Sequence, residues 1–265
     1  MEKIVRETIM DWSRAKTIFI ITFILLNSFL FYQLRELNHH NQITMIIEAT
    51  LQERLNEMNI IIEDTLDEEI QSGFLIVGKN VVISEEEING LKEQDVTFVN
   101  ETTIISRLKN PYPLEQGSMS QQVKSFLEEY VLNGDMYRFS QQEEERNQLQ
   151  FMQQYDDRIM YSFDEAPLIL QLNDQSEIVA YQQMIYEVDE TGREQEFLSG
   201  LKAIERLLNE QLITANQTIT QVDFGYYSFF KQVGDVQVFA PMWRISVDGE
   251  DYLVNAIDGS VQDVF

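Results

Sequence analysis

Apolar residues are distributed in two ways along this chain, as one unbroken run near its start and as periodic patterns in the remainder. From Thr17 to Leu34 no residue is charged. At a helical rise of about 1.5 Å per residue, this run covers most of a hydrocarbon core of about 30 Å. The pattern predicts a transmembrane helix over residues 17–35, preceded by a cytoplasmic tail at residues 1–16.

Charged residues at the two ends of the run predict its orientation. Arg14 and Lys16 precede the run, whereas Arg35 is followed at once by Glu36. The positive-inside rule therefore predicts a cytoplasmic N-terminus and an extracytoplasmic C-terminal region. The residues predicted to lie at the membrane interfaces are Trp12, Arg14, Lys16 and Tyr32.

A cleaved signal peptide is the main alternative to this anchor. The segment that follows the run, FYQLRELNHH, contains no small-x-small cleavage site, and the chain has no cysteine for lipid attachment. We therefore predict an uncleaved anchor in a single-pass protein of the cell membrane.

Polar residues inside the predicted span are candidates for contact with other helices. Asn27 lies near its middle and is followed by Ser28, and Thr22 lies closer to the cytoplasmic end. A polar group there is costly unless it finds a partner, and a contact between helices is worth roughly 0.6 to 2 kcal/mol. Asn27 could also bond back to its own helix or to water. We favour a neighbouring helix and predict partner contacts at Thr22, Asn27 and Ser28.

The first part of the outer region combines helical and alternating patterns. Residues 37–58 predict a helix leaving the membrane, and residues 120–132 predict a second helix, with Ser118 and Gln121 as a capping box and Gly134 after its end. The strands predicted between these helices are 59–64, 73–78, 95–100 and 102–108.

The second part alternates more regularly. The acidic run 141–148 predicts a solvated loop or hairpin and marks an internal boundary, and residues 197–212 predict a helix with one apolar stripe. Asp248-Gly249 predicts a tight hairpin and Asp258-Gly259 a further turn among three closing strands. Strands are also predicted at 149–155, 159–163, 167–172 and 178–186.

These patterns together predict an α+β protein. Its transmembrane helix is followed by two small units, residues 36–145 and residues 146–265, each an antiparallel sheet packed on one main helix. The second unit includes the C-terminal hairpins.

The net charge and the amino-acid composition argue against several classes of function. The chain has 265 residues, a formal net charge of -26 and no cysteine, which argues against binding of nucleic acid and against thiolate chemistry. Its two histidines, His39 and His40, are adjacent and would point apart on a helix. Ser120 and Lys124 fit the cap and polar face of a helix better than a serine-lysine hydrolase. We predict no catalytic, cofactor-binding or metal-binding residue, and therefore no enzyme.

Four stretches resemble one known family. MDWSRAKTIFIITFILLNSFLFYQL, LNEMNIIIEDTL, GLKAIERLLNEQLI and VFAPMWRISVDGEDYLVNAIDGSV are similar to members of the YycI (WalI) family. Members usually begin at the Met of MDWS, which is Met10 here. The resemblance implies a YycH-like ectodomain, no catalysis, and partners that include a YycH-like sister protein and the sensor histidine kinase WalK of the WalK/WalR (YycG/YycF) system. These contacts run mainly through membrane helices and adjust cell-wall metabolism.

Two other functions stay open. The C-terminal hairpins also resemble PepSY-type domains, which implies an extracytoplasmic module that binds or inhibits a wall protease or hydrolase. An acidic wall hydrolase would need two carboxylates about 5 to 9.5 Å apart in a cleft. Homo-oligomers and hetero-oligomers are both compatible with the sequence.

Overall fold

The computed structural model describes residues 12–66, 72–115, 117–162, 166–229 and 234–263, with side chains described except for residues 12–15, 34–49 and 263. The chain divides into a unit that ends at Met58 and a unit that begins at Asn59. We call the second unit the body.

The first unit is dominated by one long helix, α1 (Trp12–Glu57). Its segment Lys16–Gln33 has a mean hydropathy of 1.5, and none of its side chains is buried. This segment is the one candidate membrane span among the described residues, as the sequence predicts. The predicted helix 37–58 is confirmed as the continuation of α1. The first eleven residues of the predicted tail lie outside the described residues.

The body contains three helices and fourteen strands among its described residues. The helices are α2 (Glu85–Ile88), α3 (Met119–Tyr130) and α4 (Gly200–Asn209). The first seven strands are β1 (Ile61–Ile62), β2 (Ser72–Asn80), β3 (Gln94–Phe98), β4 (Thr103–Pro113), β5 (Tyr137–Glu143), β6 (Gln148–Tyr155) and β7 (Arg158–Ser162). The other seven are β8 (Leu168–Leu172), β9 (Glu177–Met184), β10 (Tyr186–Glu196), β11 (Thr218–Ser228), β12 (Val236–Val247), β13 (Glu250–Asn255) and β14 (Val261–Asp263).

The strands form one continuous, mostly antiparallel sheet. Its order is β10-β2-β12-β11-β7-β6-β8-β9-β4-β3, with β5 beside β6, β13 beside β12, and β14 beside β13. Strands β1 and β7 both pair with β11 in parallel. The α+β prediction is therefore confirmed. Strands from both sides of residue 145 pair with each other, as β4 does with β9, and the division into two units stays a prediction.

Helix α3 covers one end of this sheet. Its residues Val123, Phe126 and Leu127 pack in one cluster with sheet residues that include Phe151 and Leu170. The last carbonyl groups of α3 and the following turn lack helical partners and receive hydrogen bonds from the sheet. The donors are Gln94 and Tyr181 to the Tyr130 oxygen, at 3.0 and 2.7 Å, and Gln183 to the Leu132 oxygen, at 2.6 Å.

Helix α4 covers the other end, where β11, β12 and β13 lie. Ala203, Ile204, Leu207 and Leu208 are buried on its inner side. Trp243 of β12 is fully buried, and its indole Nε1 donates a hydrogen bond to the Leu198 oxygen at 2.7 Å. The Ser199 hydroxyl caps the helix by accepting from the Lys202 amide.

The turn predictions are confirmed. Asp248 and Gly249 both have positive φ, 50° and 91°, and join β12 to β13 in the hairpin expected from the Asp-Gly pair. Gly259, with φ of 71°, lies in the turn between β13 and β14. The acidic run 141–148 forms the end of the β5–β6 hairpin.

Several details differ from the sequence predictions. The Ser118 side chain makes no capping hydrogen bond, because its backbone (φ -123°, ψ 8°) is not in the extended conformation of an N-cap. A capping box is instead formed by Ser84 and Glu87 at α2. Helix α4 is shorter than 197–212, strands β5 and β10 were not predicted, and four strands rather than three follow α4.

Candidate functional site

The polar residues of the span are the first candidate site. The Asn27 amide Nδ2 donates to the Phe23 oxygen at 2.8 Å, one helical turn earlier. This is the self-bonding alternative considered for Asn27. The bond uses one of two amide N–H groups, so the second N–H and the carbonyl oxygen can still serve a neighbouring helix.

Thr22 is more fully satisfied than Asn27. Its hydroxyl donates to the Ile18 oxygen at 2.9 Å, which uses the only hydrogen that this side chain can donate. The Ser28 side chain is exposed, as are those of Thr22 and Asn27. Asn27 therefore retains the largest capacity for a hydrogen bond to another helix.

The three residues do not share one face of α1. At 3.6 residues per turn, Thr22 and Asn27 are about 140° apart around the helix axis, and Asn27 and Ser28 about 100°. The structure thus distributes these side chains around the helix. No single neighbouring helix can contact all three.

The predicted interface residues lie where the helix enters and leaves the candidate span. Lys16 and Tyr32 are exposed, and Tyr32 is 65% exposed. Trp12 and Arg14 belong to the first turns of α1, and their side chains lie outside the described part of the chain. The role of these four residues at a membrane interface stays a prediction.

A first cavity of the body, about 760 Å³, lies between α3 and the β5–β6 hairpin. Its walls include the apolar side chains of Val123, Leu127 and Phe151. Ser120 and Lys124 both contribute to it, but the Lys124 ammonium is paired with the Glu128 carboxylate at 4.0 Å. This arrangement agrees with the helix-surface interpretation of Ser120 and Lys124.

A second cavity, about 630 Å³, lies over the face of β7, β11, β12 and β13 that is opposite to α4. Strand alternation explains its lining, because every second residue of a strand points to the same face. Asp223 and Tyr227 of β11 share this face, and the register aligns Asp223 with Arg244 of β12 and Tyr227 with Tyr161 of β7. The β5–β6 hairpin contributes the remaining wall with Ser140, Gln141 and Gln150.

Charged groups meet at the wall of this second cavity. The Arg244 guanidinium contacts the Asp223 carboxylate at 3.2 Å and lies over the Tyr161 ring, 5.8 Å from its centroid. The Asp251 carboxylate accepts from the Ser246 hydroxyl. Burial opposes the charge of Arg244, but Tyr227, Tyr161 and the two carboxylates outweigh this effect and raise its pKa above the ordinary value.

Two tyrosines form the aromatic part of the same wall. The rings of Tyr161 and Tyr227 are stacked, with centroids 4.6 Å apart and planes 18° apart. Burial raises the pKa of both hydroxyls. Among the described residues, neither the buried Tyr227 hydroxyl nor the Arg244 Nε has a hydrogen-bond partner.

Sequence reasoning did not predict this cavity. The signal was present in the alternation of QVDFGYY (221–227), where Gln221, Asp223 and Tyr227 fall on one face. Within the described residues, no group of three or more His, Asp or Glu side chains could hold a metal ion. His39 and His40 lie in α1, with side chains outside the described set.

Comparisons with known proteins identify one protein family. A family model described as YycI protein matches residues 40–257. No curated protein sequence matches the chain. Among solved structures, an uncharacterized protein from Eubacterium rectale is similar at 9% identity and a TM-score of 0.46, over 78% of this chain and 91% of that chain. YycH from Bacillus subtilis is similar at 18% identity and a TM-score of 0.35, over 60% of this chain and 41% of that chain.

Proposed function

This chain belongs to the YycI family, and on that premise we propose that it is a non-enzymatic regulator of a WalK-like sensor histidine kinase that controls cell-wall metabolism. It acts together with a YycH-like partner through contacts between transmembrane helices. Membership of the family points to the WalK (YycG) regulatory system. The observation that carries the helix-contact mechanism is the mid-span Asn27, which keeps hydrogen-bonding capacity on a fully exposed apolar helix.

The distribution of polar side chains around α1 supports more than one neighbour. Asn27 and Ser28 lie within about 100° of each other, and Thr22 lies at least about 120° from either. One helix can pack on the Asn27–Ser28 side while another packs on the Thr22 side. The kinase and the sister protein are the two neighbours that we assign, in a hetero-oligomer.

The proposed topology places different segments of the chain on the two sides of the membrane. Residues 1–16 are cytoplasmic, residues 17–35 span the membrane, and the body is extracytoplasmic. Trp12, Arg14, Lys16 and Tyr32 fix the depth of the span. The extracytoplasmic region, which we propose is organised as two sheet-and-helix units at 36–145 and 146–265, positions the span. A ligand or partner outside can bias the kinase only if it interacts differently with the two signalling arrangements of the complex.

The test replaces Asn27 by Leu in the full-length protein and measures two quantities in membranes, the crosslinking of α1 to kinase helices and the output of the kinase. A helix contact of roughly 0.6 to 2 kcal/mol corresponds to a three- to thirtyfold change in association. The matched control is Thr22→Val, which removes a hydroxyl whose hydrogen is already used within α1. We expect it to have the smaller effect.

An Asn27→Leu protein with unchanged crosslinking and unchanged kinase output would remove Asn27 from this mechanism. A larger effect of Thr22→Val than of Asn27→Leu would also contradict the ranking of the two residues. Expression level and membrane insertion are checked for each variant.

A second candidate function is a PepSY-like extracytoplasmic module that binds or inhibits a wall protease or hydrolase. The observation that favours it is the meander of β12, β13 and β14, which has the two Asp-Gly turns expected from the sequence. Inhibition of such an enzyme by the purified protein, with no effect of Asn27→Leu, would favour this alternative.

A further inference from the structure

The two faces of the C-terminal part of the sheet differ in character. Residues of β11 and β12 that point toward α4, such as Phe224, Trp243 and Ile245, are buried and apolar. Residues at the alternate positions include Asp223, Arg244 and Tyr227, and these line the second cavity. A sheet face that carries charges and hydroxyls inside a cavity of this size is unusual for a purely structural surface, since buried polar groups are costly unless they are paired.

The cavity contains polar groups whose pairing is incomplete. Tyr227 is 4% exposed, and its hydroxyl has no hydrogen-bond partner in the described parts of the chain. The same holds for the Nε of Arg244. A buried donor left unpaired costs about 1–3 kcal/mol. Two such donors beside one cavity would be stabilised by hydrogen bonds to a ligand that carries acceptors.

The charges at this wall limit the chemistry of the ligand. One guanidinium, from Arg244, lies among two carboxylates, from Asp223 and Asp251, which gives the wall a net negative charge. The whole chain carries -26. An anion such as a phosphate would be repelled, because Arg244, the one cation among the described residues of this wall, is already paired with Asp223 at 3.2 Å.

The other wall groups favour a ligand with many hydroxyls. A carboxylate presents two acceptors, a guanidinium two parallel donors, and an amide one acceptor beside a donor group. Neighbouring hydroxyls of a sugar can both donate and accept, so they can pair with each of these groups. Amides of Gln141, Gln150 and Gln221 line the cavity together with the stacked Tyr161 and Tyr227 rings.

We propose that the second cavity is a binding site for an uncharged saccharide. Its volume of about 630 Å³ falls within the about 300–1,000 Å³ of small-molecule sites. The Tyr227 hydroxyl and the Arg244 Nε supply donors, and Asp223, Asp251 and the three glutamines hold the ligand hydroxyls. The two unpaired donors are covered by surrounding side chains, so ligand entry shifts the half-buried Arg244 and Tyr161. This site goes beyond the proposed function and does not depend on helix contacts.

The experiment measures binding of maltotriose and of triacetylchitotriose to the full-length protein in lipid nanodiscs, by calorimetry and by saturation-transfer NMR. Sugar-based detergents are excluded because they would compete. Trialanine and inorganic phosphate are the comparison probes for a peptide and for an anion. We expect at least one saccharide to bind, to bind more tightly than either comparison probe, and to be recovered intact.

Two variants connect binding to this cavity. Tyr227→Phe removes the unpaired hydroxyl, so we expect about a three- to tenfold loss of saccharide affinity with unchanged or higher thermal stability. Gln221→Ala changes an exposed residue that does not endanger folding, and we expect a loss of at least about threefold. Gln175→Ala, in an exposed turn outside the cavity, is the matched control and should bind as the wild type does.

The proposal is overturned if neither saccharide binds, if trialanine or phosphate binds more tightly, or if both cavity variants retain wild-type affinity. Because these measurements use purified protein without the kinase, their failure would leave the helix-contact proposal unaffected. The reverse also holds, since loss of the Asn27 effect would not alter saccharide binding.

Discussion

The span of α1 and the body differ in how far their apolar side chains are buried and in how fully their polar side chains are hydrogen-bonded. In the span the large apolar residues are exposed, with Phe19 at 79% and Leu25 at 66%, whereas in the body residues such as Phe126, Trp243 and Leu253 are fully buried. The body therefore supplies the surroundings that its own apolar residues require. The span requires apolar surroundings from outside the chain, as a membrane would provide.

Polar groups show the same difference. In the body, Gln153 exchanges two hydrogen bonds with the backbone of Tyr186, at 2.7 and 2.9 Å, and the Tyr137 hydroxyl donates to the Met184 oxygen at 2.8 Å. In the span, Asn27 bonds only to the backbone of its own helix in the described structure. The remaining N–H and the carbonyl oxygen of Asn27 are the groups that the proposed helix contacts would use.

The largest effect that we predict for the body comes from its central aromatic side chain. Trp243→Ala removes a fully buried indole and its hydrogen bond to the Leu198 oxygen, and should lower the free energy of unfolding by about 3–5 kcal/mol. Val238→Ala on the same strand is the control, because Val238 is 51% exposed, and should cost less than about 0.5 kcal/mol. Chemical denaturation followed by circular dichroism measures both, and equal losses would contradict the assigned core.

A second large effect is expected at Gly134. A Cβ atom there would lie 1.9 Å from the Leu127 oxygen, so the end of α3 would have to move. Gly134→Ala should destabilise the body by about 1–3 kcal/mol. Gly90→Ala is the control, since its nearest contact would be 3.4 Å from the Glu87 oxygen, an ordinary distance. A Gly134→Ala body as stable as the Gly90→Ala body would refute this close contact.

Gly134 also shows how far the sequence predicts the fold. The sequence analysis predicted that Gly134 ends α3 as a helix stop. In the structure a glycine is required there because the Leu127 backbone approaches closely. Local signals such as Asp248-Gly249 predicted their turns because two positive φ values suit few other residue pairs. The pairing of β2 with β12 joins residues far apart in sequence, and no local pattern encodes such a contact.

The candidate sites were predictable to different degrees. Asn27 stands out in the sequence because an amide is rare in an apolar run. Its hydrogen bond to the Phe23 oxygen is visible only in the structure. For the second cavity, the sequence shows only that Gln221, Asp223 and Tyr227 share one face of a strand. The cavity itself depends on the registers of three strands, which bring Arg244, Tyr161 and Asp223 together. The predicted Ser118 capping box was wrong because the Ser118 backbone is not in the extended conformation that an N-cap requires, which residue types alone do not encode.

A smaller effect is expected at the capping box of α2. The Ser84 side chain and backbone donate to the Glu87 carboxylate and lower its pKa below the ordinary value of 4.5. Ser84→Ala should cost about 0.5–1 kcal/mol near neutral pH. Because a lowered pKa stabilises the fold above the unfolded-state value, the difference from wild type should shrink as pH falls below about 4.5.

Ser118→Ala is the matched control for this cap, since the Ser118 side chain makes no capping bond. It should leave the unfolding free energy within about 0.5 kcal/mol of wild type at any pH. A loss at Ser118 equal to that at Ser84 would contradict the assignment of the two caps.

The smallest change in the stability of the body is expected from a substitution in the span, and it tests whether the span and the body are independent. Asn27→Leu should change the unfolding free energy of the body by less than about 0.5 kcal/mol, while it alters crosslinking of α1 in membranes. Denaturation of the body, monitored by near-ultraviolet circular dichroism, is the measurement. A clear destabilisation would show that Asn27 serves the fold rather than an interaction between helices.

The account depends most directly on whether the sequence of the span matters or only its length. The decisive measurement replaces residues 17–34 of the full-length protein by a leucine-rich segment of the same length, with Arg14, Lys16 and Arg35 retained, and records kinase output in membranes. We predict that the altered protein inserts normally, keeps a folded body and no longer regulates the kinase. Full regulation by the leucine-rich protein would contradict the account, because the helix would then be only a tether.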